Sequence, residues 1–328
     1  MFSSVVPTED PNLHHQKELT DISEDEFKEQ YGAPVYKWYH RIFQLICFLL
    51  FLGPIRLVIG VFGFFFMSFV VLVLRKTLTL FGQSRLVCKK LAYDISIIGF
   101  RLLLFGFGHI KVKVDGEIDP EARIFISNHT GYQDPYVISV IKYISPVAKA
   151  ELGATLLKDV IDCSDPIYVR RDQPGGQSKM IMARADDKAS YPILIFPEGT
   201  LTRGGITLKF HRSAFLTPHK VQPMLIRYKM PFVPKGWNSY AWTNPNLLDY
   251  FFCILSIPWN TVTVTALPAI TLDKEGNGSV DEFAKYSQLL VANHFGNKAV
   301  TRSSDEIFRK KRNITADTKP NEEKPKNE

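Results

Sequence analysis

Two hydrophobic patterns divide the chain. Nearly every position from 42 to 74 is apolar, with a break at Gly53-Pro54, and from about residue 110 short apolar runs alternate with amphipathic stretches. The first pattern predicts helices in a membrane, and the second predicts strands alternating with helices. The expected fold class is therefore α/β, a mixed central sheet with helical cover, preceded by an N-terminal membrane-anchoring helical segment.

The apolar segment leaves its membrane topology open. Residues 55–74 would form a helix about 30 Å long, roughly one hydrocarbon core, whereas residues 42–52 are too short to cross alone. Gly53-Pro54 predicts either a kink in one spanning helix or a re-entrant hairpin. Arg56, inside the apolar stretch, would either reach the headgroups or pack against the protein.

The alternating pattern predicts six strands and three helices. Strands are expected at 110–114, 123–127, 166–170, 192–196, 221–228 and 261–267. Helices are expected at 135–143, 174–188 and 281–294. Residues 75–90 are typical of an amphipathic helix on a membrane surface, and residues 95–109 and 247–257 of short helices embedded in its interface. For 95–109 the alternative is a buried core helix.

These patterns divide the chain into four parts. The first 35 residues are polar and acidic, unlike a cleavable signal peptide, so the apolar segment behind them is expected to be retained. We expect a disordered polar tail over 1–35, with a short helix at its end as the alternative, and a membrane anchor with interfacial helices over 36–109. An α/β domain is expected over 110–300 and a disordered charged tail over 301–328.

The charge favours an anionic partner. The 328 residues carry a net charge of +7, which suits a membrane surface, a phosphorylated substrate or nucleic acid. No helix-turn-helix, zinc-finger or aromatic-strand motif supports nucleic acid. The four cysteines are widely spaced without a CxxC pair, which argues against a zinc site or a disulfide framework.

An apolar run at 124–127 ends at a turn that carries His129 and Asp134. Positions five apart on a continuous helix point about 140° apart, so the chain must turn for these side chains to meet, and Gly131 permits this. Asp134 would then fix the tautomer of His129 and leave the other ring nitrogen as a base. The alternative is that Asp134 is a helix N-cap followed by Pro135 at N1.

A second apolar run ends at Phe196-Pro197-Glu198-Gly199-Thr200. Gly199 lets the backbone approach a ligand closely, and Thr200 can bind phosphate oxygens. Glu198 would organise nearby cations, for which the candidates are Arg170, Arg171, Arg203, Lys209 and Arg212. Alone, most such segments are only turns.

Two further strands complete the set. The strand at 166–170 runs into Arg171, and a solvated strand end is the simpler interpretation of that segment alone. The strand at 221–225 contains Pro223, which a central strand would not tolerate, so an edge strand or a bulge is expected there.

The four segments, in this order, resemble the blocks of the glycerophospholipid acyltransferase superfamily (1-acylglycerol-3-phosphate acyltransferase-like). Its members carry a His-x4-Asp, an apolar strand ending in Arg, a Phe-Pro-Glu-Gly-Thr and an apolar strand with Pro. The sequence is most similar to the lysophosphatidylcholine acyltransferase branch, through Gly-Pro-Ile-Arg at 53–56, Ala-Phe at 214–215 and Val-Gln-Pro at 221–223. The resemblance covers roughly residues 40–295.

The resemblance implies a membrane-bound acyltransferase that moves an acyl group from acyl-CoA to the free hydroxyl of a lysophospholipid, with a lysophosphatidylcholine-type acceptor favoured. His129 would deprotonate that hydroxyl, and Asp134 would orient His129 and stabilise its charge. The acceptor would be held by Arg171, Phe196, Pro197, Glu198, Gly199, Thr200 and Pro223. The implied partners are acyl-CoA as co-substrate, the acceptor and the lipid bilayer, with no metal, no other cofactor and no nucleic acid.

Departures from the family pattern bear on the acceptor. Asp165 stands where the second block usually begins with Gly, and Leu201 stands where the phosphatidic-acid-making branch commonly has Arg. His211 and Ser213 stand where the related branch often has Lys and Gly. The alternative is acylation of lysophosphatidic acid or glycerol-3-phosphate, which the leucine weakens.

A different class of function is a non-catalytic, lipid-binding membrane scaffold, against which the intact His, Asp and Glu of the blocks argue. The implied location is the endoplasmic reticulum, with the Golgi or lipid droplets as alternatives.

Overall fold

The computed structural model describes residues 16–32, 35–83, 85–154, 158–162, 164–170, 176–230, 241, 243 and 246–307. The helices are α1 (Glu24–Glu29), α2 (Trp38–Leu50), α3 (Gly53–Leu80), α4 (Arg85–Gly106), α5 (Asp134–Ser139), α6 (Lys158–Asp162), α7 (Gln177–Asp186), α8 (Leu247–Leu255), α9 (Leu272–Glu275) and α10 (Val280–Phe295). The strands are β1 (His109–Asp115), β2 (Ile124–Ile126), β3 (Ser145–Lys149), β4 (Ile167–Val169), β5 (Ile193–Ile195), β6 (Ile206–Thr207), β7 (Val221–Lys229), β8 (Asn260–Ala266) and β9 (Lys298–Ala299).

Seven strands form one mixed sheet in the order β1-β8-β7-β2-β5-β3-β4, which confirms the predicted α/β class. Neighbouring strands are parallel except β7 and β8, which are antiparallel. The carboxyl ends of β2, β4, β5 and β7 therefore lie at one edge of the sheet, where open α/β sheets bind ligands. Because β8 and β1 run the other way, their first residues lie at the same edge.

Pro223 lies in a central strand, so the expectation of an edge strand or a bulge is wrong. β7 sits between β2 and β8, with Pro223 paired to Ile126. The Leu267 N–H donates to the Pro223 carbonyl at 3.0 Å, but proline has no N–H to return. The side-chain Nε2 of Gln222 donates to the Leu267 carbonyl at 2.9 Å instead, so a neighbouring side chain replaces the missing ladder bond.

The N-terminal helices pack on the α/β domain. α3 and α4 form an antiparallel hairpin in which Gly60 meets Gly106, and a Cβ on Gly106 would lie only 2.8 Å from the Gly60 Cα. Arg56 packs against the protein, since its Nη1 donates to the Ile257 carbonyl at 2.6 Å and the residue is 5% exposed. The stretch expected as one interfacial helix at 75–90 is instead divided between the end of α3 and the start of α4.

The expectation of a disordered tail over 1–35 is wrong for residues 16–32. α1 buries Phe27 in a cluster with Leu208 and Val300, and Thr20 forms a β-bridge with Val300. The predicted C-terminal tail also starts too early, because Ile307 is buried in the same cluster. α1 lies near the end of this segment, where a short helix was the alternative to disorder. Residues 1–15 and 308–328 lie outside the described residues.

Asp165 explains one departure from the family pattern. It adopts a left-handed conformation with φ of 51°, which glycine adopts without strain and aspartate tolerates better than most residues. Its carboxylate pairs with Lys89 of α4 and with Arg184 of α7. The substitution thus places an ion pair between the helical hairpin and the α/β domain where glycine would place none.

Replacing Asp165 by Gly or Ala separates these two effects. Both variants lose the ion pairs, but only Ala retains a side chain in the left-handed conformation, so Asp165→Ala should be the less stable by about 1 kcal/mol. Thermal unfolding of the two variants in detergent measures this difference. An Ala variant as stable as the Gly variant would contradict the backbone assignment.

Candidate active site

The turn after β2 is fixed on both sides. The Asn128 side chain extends the ladder to β7: its Oδ1 accepts from the Ile226 N–H at 2.8 Å, and its Nδ2 donates to the Ile226 carbonyl at 3.0 Å. On the other side, the Thr202 N–H donates to the His129 carbonyl at 3.1 Å. These bonds hold the His129 backbone between β7 and the loop that follows β5.

The structure brings His129 and Asp134 together. His129 Nδ1 lies 2.9 Å from Asp134 Oδ2, and the N–H groups of Thr130 and Gly131 donate to the same oxygen at 2.6 and 2.9 Å. Asp134 is fully buried, and these donors match its charge. The N-cap position of α5 is occupied by Gln133. The Asp134 carboxylate accepts hydrogen bonds from N–H groups of the turn ahead of the helix, so Asp134 is not an N-cap.

His129 retains one open ring nitrogen. Its ring stacks on Phe196 with centroids 3.9 Å apart and planes 15° apart, and its side chain is 22% exposed. With Nδ1 donating to Asp134, the lone pair lies on Nε2, which has no hydrogen-bond partner among the described residues. The arrangement can accept a proton from a hydroxyl placed at Nε2.

Glu198 is buried beside this turn. Its Oε2 accepts from the Leu208 N–H at 3.1 Å. Burial raises the pKa of Glu198 to about 8, and the bond from Leu208 opposes that shift only in part. The carboxyl group is therefore mostly neutral at pH 7.

Of the cations expected around Glu198, Arg203 lines the same small cavity as Glu198, whereas Arg212 is engaged elsewhere. Arg212 pairs with Asp281 at 3.0 Å, and Arg203 Nη2 donates to the Gly32 carbonyl at 2.9 Å. Arg171 lies outside the described residues.

Pro197 and Gly199 of the Phe-Pro-Glu-Gly-Thr block pack against His211 in the loop after β5. Gly199 has φ of 69°, and a Cβ there would lie 2.8 Å from the His211 ring. The Pro197 carbonyl accepts from the His211 N–H at 2.9 Å, and Thr200 is half-buried. His211, one of the departures from the related branch, thus packs against the block. Pro223 lies inside the sheet, away from this loop.

Sequence reasoning missed Tyr228, whose hydroxyl donates to Asp134 Oδ1. A signal for it existed, because Tyr228 is the last residue of the strand predicted at 221–228. The rule that sites lie at strand carboxyl ends, applied to that strand, would have included it.

Comparison with known proteins identifies the domain. The family model described as Acyltransferase matches residues 109–235. These residues are an acyltransferase domain. Over 223 residues the chain is 28% identical to the Mus musculus protein named Lysophospholipid acyltransferase LPCAT4, and this match covers 66% of this chain and 41% of that protein. Over 218 residues it is 27% identical to the Drosophila melanogaster protein named Lysophosphatidylcholine acyltransferase, covering 63% of this chain and 40% of that protein.

The chain thus spans about two fifths of the length of these curated relatives. Among solved structures, the 1-acyl-sn-glycerophosphate acyltransferase PlsC from Thermotoga maritima matches with a TM-score of 0.50 at 18% identity. The match covers 74% of this chain and 96% of that one. At this identity the likeness shows the fold alone, and it agrees with the mixed sheet described above.

Replacing Glu198 by Gln should flatten the pH dependence of stability. Because burial raises the pKa of Glu198 from 4.5 to about 8, the folded protein keeps a proton that the unfolded chain releases between these values. As the pH rises from about 5 to about 8, the wild type should lose stability relative to Glu198→Gln, by at most about 1.4 kcal/mol per pH unit. Thermal unfolding in detergent across this range measures the difference, and parallel curves would contradict the assignment.

Proposed function

We propose that this protein transfers an acyl group from acyl-CoA to the free hydroxyl of a lysophospholipid, with a lysophosphatidylcholine-type acceptor favoured. The observation that carries the proposal is the 2.9 Å bond between His129 Nδ1 and Asp134 Oδ2, which leaves Nε2 open at the ligand-binding edge of an acyltransferase domain. The names of the relatives above favour this acceptor class over lysophosphatidic acid.

The reaction needs one base and a reactive thioester. His129 Nε2 takes the proton of the acceptor hydroxyl while the hydroxyl oxygen attacks the thioester carbonyl carbon. The tetrahedral intermediate collapses, the C–S bond breaks, and the imidazolium returns the proton to the CoA thiolate. Asp134 stabilises the imidazolium that forms in between. Acyl-CoA is the co-substrate, and the proposal uses no metal or other cofactor.

A small cavity beside the turn, lined in part by polar and charged side chains, suits the phosphate of the acceptor. Arg203 and Arg227 line it, together with Thr202, Asn297 and Glu198. Because Glu198 is mostly neutral at pH 7, the wall carries the charge of the two guanidinium groups, which favours an anion. Arg171 and the third block would hold the rest of the acceptor, as the resemblance implies.

We further propose that the helical hairpin lies in one leaflet of a membrane without crossing it. α3, whose length and composition would let it cross, is the one such helix in the described part of the chain. It buries a narrow stripe against α4 and exposes apolar side chains over the rest of its surface, including Val58 (65%), Phe62 (61%) and Phe69 (64%). That surface fits hydrocarbon.

The charged contacts of the two hairpin helices, α3 and α4, favour the in-plane orientation. Val71 of α3 packs with Ala92 of α4, close to the Lys89–Asp165 pair, while Arg56 packs near the other end of α3. Charged contacts therefore lie beside the hairpin near both its ends. A crossing α3 would take one of these sets into or across the hydrocarbon, at a cost of several kcal/mol. The predicted organelle stays the endoplasmic reticulum.

Acyl transfer should depend on His129. Membranes from cells that express the full chain are incubated with labelled acyl-CoA and, in turn, lysophosphatidylcholine, lysophosphatidylethanolamine, lysophosphatidic acid and glycerol-3-phosphate. We expect transfer to a lysophospholipid that His129→Ala lowers by about 100-fold or more, because the base is lost. His219→Ala is the matched control: His219 pairs with Asp186 at 2.7 Å and should leave the activity unchanged.

Activity that survives His129→Ala would overturn the mechanism. Preference for lysophosphatidic acid or glycerol-3-phosphate would favour the alternative acceptors, and no transfer to any acceptor would favour the scaffold.

Single cysteines test the in-plane orientation of α3. In a cysteine-free background, Val35→Cys and Gln83→Cys place exposed thiols ahead of α2 and beyond the end of α3. If the hairpin lies in one leaflet, a membrane-impermeant maleimide should label both from the same side of sealed microsomes. Labelling of the two positions from opposite sides would show that α3 crosses.

A further inference from the structure

Tyr228 binds the one carboxylate oxygen of Asp134 that the turn leaves open. The turn amides and the His129 ring all contact Oδ2, whereas the Tyr228 hydroxyl donates to Oδ1. Tyr228 comes from β7, 94 residues further along the chain, and is buried. The carboxylate is thus held from two directions, by its own turn and by a neighbouring strand.

The sheet topology places a support behind Tyr228. β7 ends at the same edge at which the antiparallel β8 begins, and β1 runs parallel to β8. His109, the first residue of β1, and Asn260, the first residue of β8, therefore lie next to the end of β7. The His109 ring stacks on the Tyr228 ring with centroids 5.2 Å apart and planes 28° apart.

His109 is itself held in one orientation without adding a charge. Its Nδ1 contacts Asn260 Oδ1, and the residue is 5% exposed. Burial, assisted by the nearby Arg56 guanidinium, lowers the pKa of His109 to about 4, although Asn260 and the Asp134 charge act in the opposite direction. A neutral ring lies against Tyr228 at physiological pH, so the phenol is oriented by packing.

Arg56 closes the support from the membrane side. Its guanidinium donates to the carbonyls of Ile257 and Pro258, at 2.6 and 3.3 Å, just ahead of β8. Gly108, which precedes His109, has no side chain, and a Cβ there would lie 2.4 Å from the Arg56 Nη2. The start of β1 is therefore packed against a side chain of α3.

We propose that Tyr228 is a positioning residue for the His129–Asp134 pair: its hydroxyl holds the Asp134 carboxylate in place and withdraws negative charge from it. The inference rests on the proposed role of His129 as the base. A hydrogen bond to a carboxylate stabilises its charge and reduces its pull on a neighbouring proton. Without the Tyr228 hydroxyl, the Asp134 carboxylate should stabilise the protonated form of His129 more strongly. It should also hold the His129 ring in a less precise orientation.

Tyr228→Phe tests this because it removes the hydroxyl and keeps the ring stacked on His109. The kcat should fall by about 10- to 100-fold, the size expected for one hydrogen bond to a charged group, with the KM for acyl-CoA and acceptor changed less than about twofold. The acidic limb of the kcat/KM profile should move to higher pH by about half a pH unit or more, because the base form of His129 then requires a higher pH. The ionisable groups nearby, His109, Glu198 and Arg56, remain in the variant.

Tyr93→Phe is the matched control. Tyr93 is also buried, and its hydroxyl accepts from the Ile144 N–H at 3.1 Å, away from the site. Its removal should lower stability and leave the pH profile in place. A Tyr228→Phe variant whose pH profile coincides with the wild type, or whose loss lies in KM alone, would overturn the proposal.

A second readout does not depend on activity. In protein labelled with 15N-histidine, the ring titration of His129 is followed by NMR in detergent and assigned with His129→Gln. The titration midpoint should lie at higher pH in Tyr228→Phe than in the wild type or in Tyr93→Phe, and an unchanged or lower midpoint would overturn the proposal. If the wild type shows no acyl transfer, the proposed function fails while this measurement still decides the role of Tyr228.

Discussion

The site depends on the buried carboxylate of Asp134. A carboxylate removed from water must be matched by hydrogen-bond donors, since its desolvation otherwise costs several kcal/mol. Here two turn amides and the His129 ring share Oδ2, and the Tyr228 hydroxyl takes Oδ1. Satisfying one charge therefore requires the end of β7, the turn after β2 and the start of α5 to meet within hydrogen-bond distance.

The antiparallel pairing of β7 with β8 supports this meeting from behind. In a wholly parallel sheet only strand ends and the residues after them reach the ligand-binding edge. Because β8 runs against β7, and β1 runs with β8, the first residues of two strands reach that edge as well. His109 and Asn260 occupy these positions and pack behind Tyr228. The reversal thus supplies the second layer of contacts around the carboxylate.

Contacts between residues close together in the sequence could be predicted from it, whereas contacts between residues far apart could not. His129 and Asp134 are five residues apart, so a local argument about turning sufficed to bring them together. Tyr228 reaches Asp134 only through the pairing of β7 with β2 and β8, which no local pattern specifies. β3 was missed because Ser-Pro-Val-Ala-Lys lacks an apolar run. The expectation for Pro223 failed because the compensating group is a side chain, that of Gln222, which strand rules do not consider.

The helical hairpin belongs to the folded domain rather than serving as a removable tether. Leu104 and Phe107, at and just after the end of α4, are part of the main hydrophobic core, which also contains Phe125 of β2. Arg56 binds the carbonyls that precede β8, and the first residue of β8 contacts His109. A change in the position of α3 relative to the sheet would therefore be transmitted to the His129–Asp134 pair through a continuous series of packed groups. Since such interiors are close-packed and deform little, the position of the hairpin and the position of the site are fixed together.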